Sequence, residues 1–184
     1  MSLTLNQMCI RDSGKGIELQ GKTLGIVGFG RIGQSLGEKA KAFGMDVVAF
    51  DIFHVPGIEE KMGIKYVEMD ELLKAADIIS VHAPAVDGGA LINEENIAKM
   101  KDGVVIINTS RGTNVDEAAL LAALKSGKVA AAGLDVFTTE SSADHAEILN
   151  LDNVSSTPHI GAGTKEAQAR IGVEIVDIVR DFNK

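Results

Sequence analysis

Cysteine is almost absent from this sequence: Cys9 is the only one in 184 residues, which excludes an internal disulfide. Because disulfides are rare in the reducing cytosol, we expect a cytoplasmic protein in which Cys9 is inert. The apolar runs are far shorter than the roughly 20 residues that a membrane span needs. No N-terminal pattern resembles a signal peptide. A membrane protein or a secreted protein is therefore not expected.

Basic residues are also scarce, since Lys and Arg total 18 against 26 Asp and Glu, and the formal net charge is −8. Nucleic-acid binding needs a Lys/Arg surface that neutralises phosphates, and no basic cluster occurs along the chain. We therefore expect no nucleic-acid partner, and no metal site is predicted either.

Apolar residues, by contrast, make up 45% of the chain, which is enough for a packed core. Residues 1–13 have no clean period and end in a polar stretch, so we interpret them as a non-native leader. The remainder divides into a main domain, residues 14–163, and a terminal helical segment, residues 164–184.

Short apolar runs and helical segments alternate through residues 14–163. Strands are predicted at 24–27, 47–50, 78–81, 104–107, 129–134 and from Val154 onward. Between them, a helix stops at Gly44, another is capped by Asp70, a third spans 93–100, and a fourth runs from Asp116 to Gly127. This alternation is typical of right-handed βαβ units. The predicted class is α/β: a doubly wound, Rossmann-type parallel sheet of six or seven strands with helices on both faces.

The terminal helix is apolar on two sides. One stripe contains Ile171, Ile175, Ile178 and Phe182, and Val173 and Val176 lie opposite. Since such a helix is normally covered on two sides, we expect a missing partner domain, with dimer packing as the alternative.

A glycine motif lies between the first predicted strand and the first helix: Gly28-Phe29-Gly30-Arg31-Ile32-Gly33. In a dinucleotide site the three glycines allow a tight turn, the approach of a pyrophosphate, and close helix–strand packing. Asp51 ends the second strand near the expected distance of about 20 residues, where a carboxylate accepts bonds from a ribose 2′-hydroxyl. It would repel a 2′-phosphate, which favours NAD over NADP.

Polar residues follow three later strands, where ligands of parallel sheets bind. Arg111 can grip a substrate carboxylate with its guanidinium fork. Asp135 can accept a bond from a nicotinamide amide or orient a neighbouring loop. His159, paired with Glu140, is a candidate acid/base. We interpret His82 as strand-end structure, and His54 and His145 as solvated loop residues.

Three segments together carry a family resemblance: LQGKTLGIVGFGRIG, INTSRGTNVDEAALLAALKSGKVAAAGLDVF and TPHIGAGTKEAQARIG. They resemble the D-isomer specific 2-hydroxyacid dehydrogenases over about residues 15–180. The last segment is most similar to D-3-phosphoglycerate dehydrogenases, which open serine biosynthesis.

The resemblance implies roles for individual residues. Arg111 would bind the substrate, His159 would be the catalytic histidine, and Glu140 its supporting acid. The cofactor contacts would be the three motif glycines together with Arg31, Ile32, Asp51, Thr109, Asp135 and Gly161. A substrate domain of roughly 100 residues precedes the glycine motif in the family, so this chain resembles a truncated cofactor half. It would be inactive alone and homodimeric when intact. Thr138 and Thr139 depart from the charged residues usual before Glu140.

The sequence therefore predicts an NAD-dependent dehydrogenase of a small D-2-hydroxy or 2-oxo acid. Two alternatives remain open. Similar corepressors use NAD binding to control assembly with protein partners, and other Rossmann enzymes, such as methyltransferases, share the glycine motif.

Overall fold

The computed structural model describes residues 16–86 and 88–182. The interpretation of residues 1–13 as a leader falls outside these ranges. The strands in the described part are β1 (Thr23–Val27), β2 (Asp46–Phe50), β3 (Lys65–Tyr66), β4 (Ile78–Val81), β5 (Val104–Asn108), β6 (Val129–Leu134) and β7 (Val154–Ser156). The helices are α1 (Arg31–Ala42), α2 (Ile58–Met62), α3 (Met69–Ala75), α4 (Glu94–Lys99), α5 (Glu117–Ser126), α6 (Ala146–Leu149) and α7 (Lys165–Phe182).

All seven strands form one parallel sheet in the order β3-β2-β1-β4-β5-β6-β7. The chain adds strands outward on one side through β3 and then returns to add β4 beside β1. The predicted doubly wound α/β architecture is confirmed, with seven strands. The change of direction between β1 and β4 is the position where such sheets bind ligands.

Alternate residues of each strand face opposite sides of the sheet and form two cores. Val27, Ile79 and Ile106 belong to the larger core, which contains Leu72 and Leu73 of α3 and Leu120 of α5. Leu24, Ile26 and Ile78 belong to the smaller core, together with Ala40 of α1. The strands read as continuous apolar runs because both faces of the sheet are covered.

Side chains hold the starts of two of the predicted helices, at Asp116 as expected and at Asn93, where the sequence predicted only a helix over residues 93–100. Asp116 Oδ1 accepts the backbone N–H groups of Ala118 and Ala119 at the start of α5, and Asn93 caps α4 through Asn96 N. The prediction for Asp70 was wrong: α3 is preceded by Glu68, and Asp70 lies inside the first turn. An acidic residue is favourable at either position, so its presence alone did not fix the first helical residue.

Helix α7 spans nearly the predicted segment, and none of its described residues is buried. The apolar residues of both predicted sides are exposed, from Ile171 at 48% to Phe182 at 91%. The expectation of a two-sided apolar helix is met, and the identity of its cover remains a proposal. No helix of the described residues combines the length and apolar character required to cross a membrane.

Candidate active site and dinucleotide site

The glycine motif connects β1 to α1 at the centre of the sheet. Gly28 has a φ of +93°, and a Cβ there would lie 2.4 Å from the backbone nitrogen of Ala83 in the segment after β4. A Cβ on Gly33 would lie 2.3 Å from the carbonyl oxygen of Gly28. These two glycines allow the turn and the close packing that the sequence predicted.

Gly30 differs from the other two glycines because a Cβ added there would meet no atom within 4 Å. It precedes α1, whose first turn has no side-chain cap, and it is exposed together with Arg31 and Ile32. The protein's own packing therefore does not require glycine at position 30. An open cradle beside uncapped helix N–H groups fits a dinucleotide pyrophosphate.

Asp51 lies directly against this cradle. Its Oδ2 accepts the backbone N–H of Phe29 at 2.6 Å, and its Oδ1 accepts that of Phe53 at 2.9 Å. These bonds hold a carboxylate beside the glycine loop, at the place where a ribose hydroxyl donor would bind. The residues present therefore fit a dinucleotide with an unmodified 2′-hydroxyl.

A cleft of about 670 Å³ lies at the carboxyl ends of β5, β6 and β7. Arg111, Glu140 and His159, the three predicted catalytic residues, all line it. No hydrogen bond joins Glu140 to His159 within the described residues, so the pairing expected from the sequence is limited to a shared cleft. All three side chains are exposed.

The Arg111 loop is fixed by a buried amide network. Asn108, 1% exposed, accepts from the backbone and hydroxyl of Ser110 and donates to the carbonyl of Arg111. The side-chain Nδ2 of Asn114 donates to the Ser110 hydroxyl and to the carbonyl of Ala83. Thr109 lies exposed on this loop. The network ties the loop after β5 to the segment after β4, so the position of Arg111 does not depend on solvent contacts.

Gly112 is also needed for packing, because a Cβ there would lie 2.0 Å from the carbonyl carbon of Phe137. The loop that carries Arg111 therefore touches the loop that leads to Glu140.

Asp135 orients the loop that carries His159. It is 6% exposed, and its carboxylate accepts the Thr157 hydroxyl at 2.5 Å and the backbone N–H groups of Ile160 at 2.9 Å and Gly161 at 3.1 Å. Burial raises the pKa of Asp135, but these bonds and the charge of His159 outweigh it, so its pKa lies below 3.8. This geometry matches the loop-orienting alternative, while a cofactor contact by Asp135 stays a prediction.

His159 has a φ of +53°, a left-handed conformation that is uncommon for a residue other than glycine. Its backbone N–H donates to the carbonyls of Asp135 and Thr157. The carbonyl and the carboxylate of Asp135 therefore fix the turn that carries the His159 imidazole. Backbone strain of this kind is concentrated at functional sites.

The interpretation of His145 as a solvated loop residue was wrong. It is 6% exposed, and its Nδ1 lies 2.5 Å from Oε2 of Glu117. These residues are 28 positions apart, so no local pattern could have revealed the contact. His82 meets its structural interpretation, since it pairs with the Ser80 hydroxyl and burial lowers its pKa. His54 is exposed and stacks on Tyr66.

The family model for the NAD-binding domain of D-isomer specific 2-hydroxyacid dehydrogenases matches residues 4–161. The chain belongs to that family. The matched model is that of the NAD-binding domain, so NAD is the cofactor, as the sequence predicted. Within the described residues, no group of three or more His, Cys, Asp or Glu side chains is placed to hold a metal ion.

Relatives of the chain have several names. Hydroxypyruvate reductase of Thermotoga maritima is 51% identical over 166 residues, covering 89% of this chain and 53% of that protein. D-3-phosphoglycerate dehydrogenase of Archaeoglobus fulgidus is 45% identical over 170 residues, covering 92% of this chain and 32% of that protein. The chain thus spans about half the length of the first relative and about a third of the second.

Solved structures agree with the fold. D-lactate dehydrogenase of Aquifex aeolicus, complexed with NAD and lactic acid, superposes with a TM-score of 0.83 at 40% identity, over 91% of this chain and 55% of that chain. A glyoxylate reductase from Paecilomyes thermophila has a TM-score of 0.86 at 40% identity, over 92% and 52%.

Proposed function

We propose that this chain provides the cofactor-binding half of an NAD-dependent dehydrogenase that interconverts a small D-2-hydroxy acid and its 2-oxo acid. The observation that carries the proposal is the shared cleft of Arg111, Glu140 and His159 at the carboxyl edge of the sheet. Family membership supports the reaction type. The chain spans about half of the Thermotoga maritima relative, so the dehydrogenase activity is proposed for the whole protein and not for this chain alone.

Arg111, His159 and Glu140 each have a role that their chemistry supports. Arg111 binds the substrate carboxylate, since its guanidinium presents parallel N–H donors. His159 takes the proton of the 2-hydroxyl group in oxidation and returns it in reduction. Glu140 orients the imidazole and stabilises its charged form. When bound, NAD would accept the hydride that leaves C2 of the hydroxy acid.

For the substrate we propose D-3-phosphoglycerate, with hydroxypyruvate as the competitor. The Archaeoglobus fulgidus relative supports the first and the Thermotoga maritima relative supports the second. Among the described residues, Arg111 is the only Lys or Arg that lines the cleft, and the proposal assigns it to the carboxylate. A panel of substrates with and without a phosphate group therefore tests the choice. The intact protein is proposed to be a cytoplasmic homodimer.

Calorimetry with NADH tests the cofactor half of the proposal. We expect the chain to bind NADH and to bind NADPH much more weakly, because Asp51 would face a 2′-phosphate. Turnover by the chain alone should be very low, since the cleft is open to water. Absence of NADH binding would sink the proposal, and rapid turnover would contradict the half-protein interpretation.

Turnover is then measured with the chain replacing the matching segment of the Thermotoga maritima protein. His159→Gln should lower kcat by about 100-fold or more, the usual contribution of acid–base catalysis. His54→Gln is the matched control, because His54 is exposed and stacks on Tyr66 outside the cleft. Equal activity of the two variants would remove His159 from the mechanism.

A further inference from the structure

Glu117 and His145 meet beneath the loop that leads into the cleft. Nδ1 of His145 lies 2.5 Å from Oε2 of Glu117, and the imidazole packs 4.7 Å from the ring of Phe137. The side chains are 5% and 21% exposed for His145 and Glu117 respectively. His145 is the one buried residue in the segment 138–145, so it is the anchor of an otherwise exposed loop.

The same pair holds the two residues that precede Glu140. Oε1 of Glu117 accepts the backbone N–H of Thr138 at 2.7 Å. Nε2 of His145 lies 3.1 Å from the carbonyl oxygen of Thr139 and 3.0 Å from its hydroxyl. The backbone immediately before Glu140 is therefore bound on both sides by one pair, in which His145 is buried and Glu117 is partly buried.

The hydrogen-bond partners of Glu117 and His145 indicate which atoms of the pair carry protons. The Thr139 hydroxyl donates to Oδ2 of Asp144 at 2.9 Å, so it presents lone pairs to His145. The Thr139 carbonyl is also an acceptor, and Nε2 must therefore carry a proton. The contact between Nδ1 and Oε2 shares one more proton. Both carboxylate oxygens of Glu117 have a donor, Thr138 N for one and Nδ1 of His145 for the other, which is the pattern of a carboxylate beside a doubly protonated ring.

We propose that Glu117 and His145 are positioning residues: as an imidazolium–carboxylate pair they fix residues 138–139, and through them hold Glu140 at the cleft beside His159. The importance of Glu140 in this proposal rests on the proposed function. The position of the pair itself rests on the contacts of α5, the loop 138–145 and Phe137.

A matched pair of variants separates positioning from general stability. Glu117→Gln removes the carboxylate charge of the partly buried pair with little change in shape. Glu147→Gln removes the charge of an exposed ion pair between Lys125 of α5 and Glu147 of α6, the helix that begins directly after His145. Amide hydrogen exchange and nitrogen NMR of labelled histidines are recorded for both variants and for the unmodified chain, with NADH binding measured in parallel.

In the unmodified chain, both ring nitrogens of His145 are expected at protonated shifts. Glu117→Gln should raise the exchange rate of the Thr138 amide by about tenfold or more, because that amide loses a charged acceptor. It should also move the ring signals of His159, and Glu140→Gln, recorded in the same way, is expected to move the same signals. Glu147→Gln should change neither, and NADH binding should stay within about twofold in all variants.

A deprotonated ring nitrogen on His145 would overturn the ion pair. An unchanged Thr138 amide and unchanged His159 signals in folded Glu117→Gln would overturn the positioning role. If Glu117→Gln does not fold, the His145 shifts of the unmodified chain still decide the ion pair. The Thr138 and His159 readouts in Glu117→Asp, which keeps the charge but shortens the side chain, then decide the positioning role. Failure of NADH binding in the unmodified chain counts against the proposed function alone, since the other readouts need no cofactor.

Discussion

At the residue scale, glycines of one short motif have different physical reasons to be glycine. Gly28 and Gly33 avoid collisions with the backbone of the protein itself, at 2.4 and 2.3 Å for an added Cβ. Gly30 has open space around it. The fold therefore does not require glycine at position 30, and the space beside it is free for the pyrophosphate of a bound dinucleotide. Two of the three glycines are thus required by the packing of the protein, and the third is not.

Gly30→Ala should leave the free energy of unfolding nearly unchanged and weaken NADH binding by about tenfold or more, because a methyl group would occupy the approach of the pyrophosphate. Gly172→Ala in α7 is the control, since a Cβ there also meets nothing within 4 Å. Calorimetry and denaturant unfolding measure the two effects. Unchanged NADH affinity in Gly30→Ala would show that the cradle does not hold the cofactor.

Asp135 gives a prediction about pH. Its pKa is lower in the folded chain than its ordinary value of 3.8, because hydrogen bonds from Thr157, Ile160 and Gly161 outweigh the opposing effect of burial. The stabilisation is therefore fully present above pH 3.8 and is lost as the pH falls through the lower native pKa. At pH 7, Asp135→Asn should reduce the free energy of unfolding by about 1–3 kcal/mol.

The difference between Asp135→Asn and the unmodified chain should shrink in unfolding curves recorded at pH values below 3.8. Asp102→Asn is the control: Lys128 lowers the pKa of Asp102 through a hydrogen bond, but the pair is exposed and screened by water. A constant difference for Asp135→Asn at all pH values would contradict the linkage.

At the scale of elements, α5 connects helix formation to the cleft. Asp116 caps its first turn, and Glu117, the next residue, binds Thr138 and His145. Leu120 and Leu124 bury the inner face of the helix. A correct start of α5 therefore places Glu117 under the loop that carries Glu140.

Asp116→Ala should reduce the free energy of unfolding by about 1 kcal/mol, the usual cost of losing an N-cap. Asp70→Ala should cost less, because Asp70 caps no helix and only forms an exposed ion pair with Lys99. Urea unfolding of both variants makes the comparison. Equal costs would mean that the side-chain cap contributes nothing measurable to α5.

At the scale of the whole molecule, helix α7 is uncovered, and a small part of the sheet near β5 is only partly covered. Val105 and Ile107 on the α1 side of β5 are only half-buried, and no described residue of α7 is buried. Large exposed apolar surfaces mark sites of association. These surfaces agree with the expectation that a partner domain or a second subunit covers α7. Which of the two covers it stays a prediction.

Removal of residues 164–184 should change the free energy of unfolding by no more than about 0.5 kcal/mol, because α7 contributes no buried residue to the core. Binding of an apolar dye should fall, since the exposed stripes are lost. Leu120→Ala is the contrasting variant, with an expected loss of about 2–5 kcal/mol from a fully buried site. A comparable loss on removing α7 would show that it packs on the sheet in solution.

The sequence by itself determined the sheet, the glycine loop and the family, because these depend on local features. Apolar runs, helix stops such as Gly44 and Gly127, and the cap at Asp116 act over a few residues. The short elements β3, α2 and α6 were not predicted, since two to five residues carry too little periodicity. At Asp70 the sequence predicted a helix cap that does not exist, because an acidic residue is favourable both at the cap and in the first turn, where Asp70 lies.

Only the tertiary structure decided which side chains meet across the cleft. It placed Asp135 under the His159 loop, turned His145 inward to Glu117, and left Glu140 and His159 in one cleft without a bond between them. These contacts join residues more than 20 positions apart. Hydrogen bonds of this kind form only after the strands pair and bring their carboxyl ends to one edge, so no spacing along the chain encodes them.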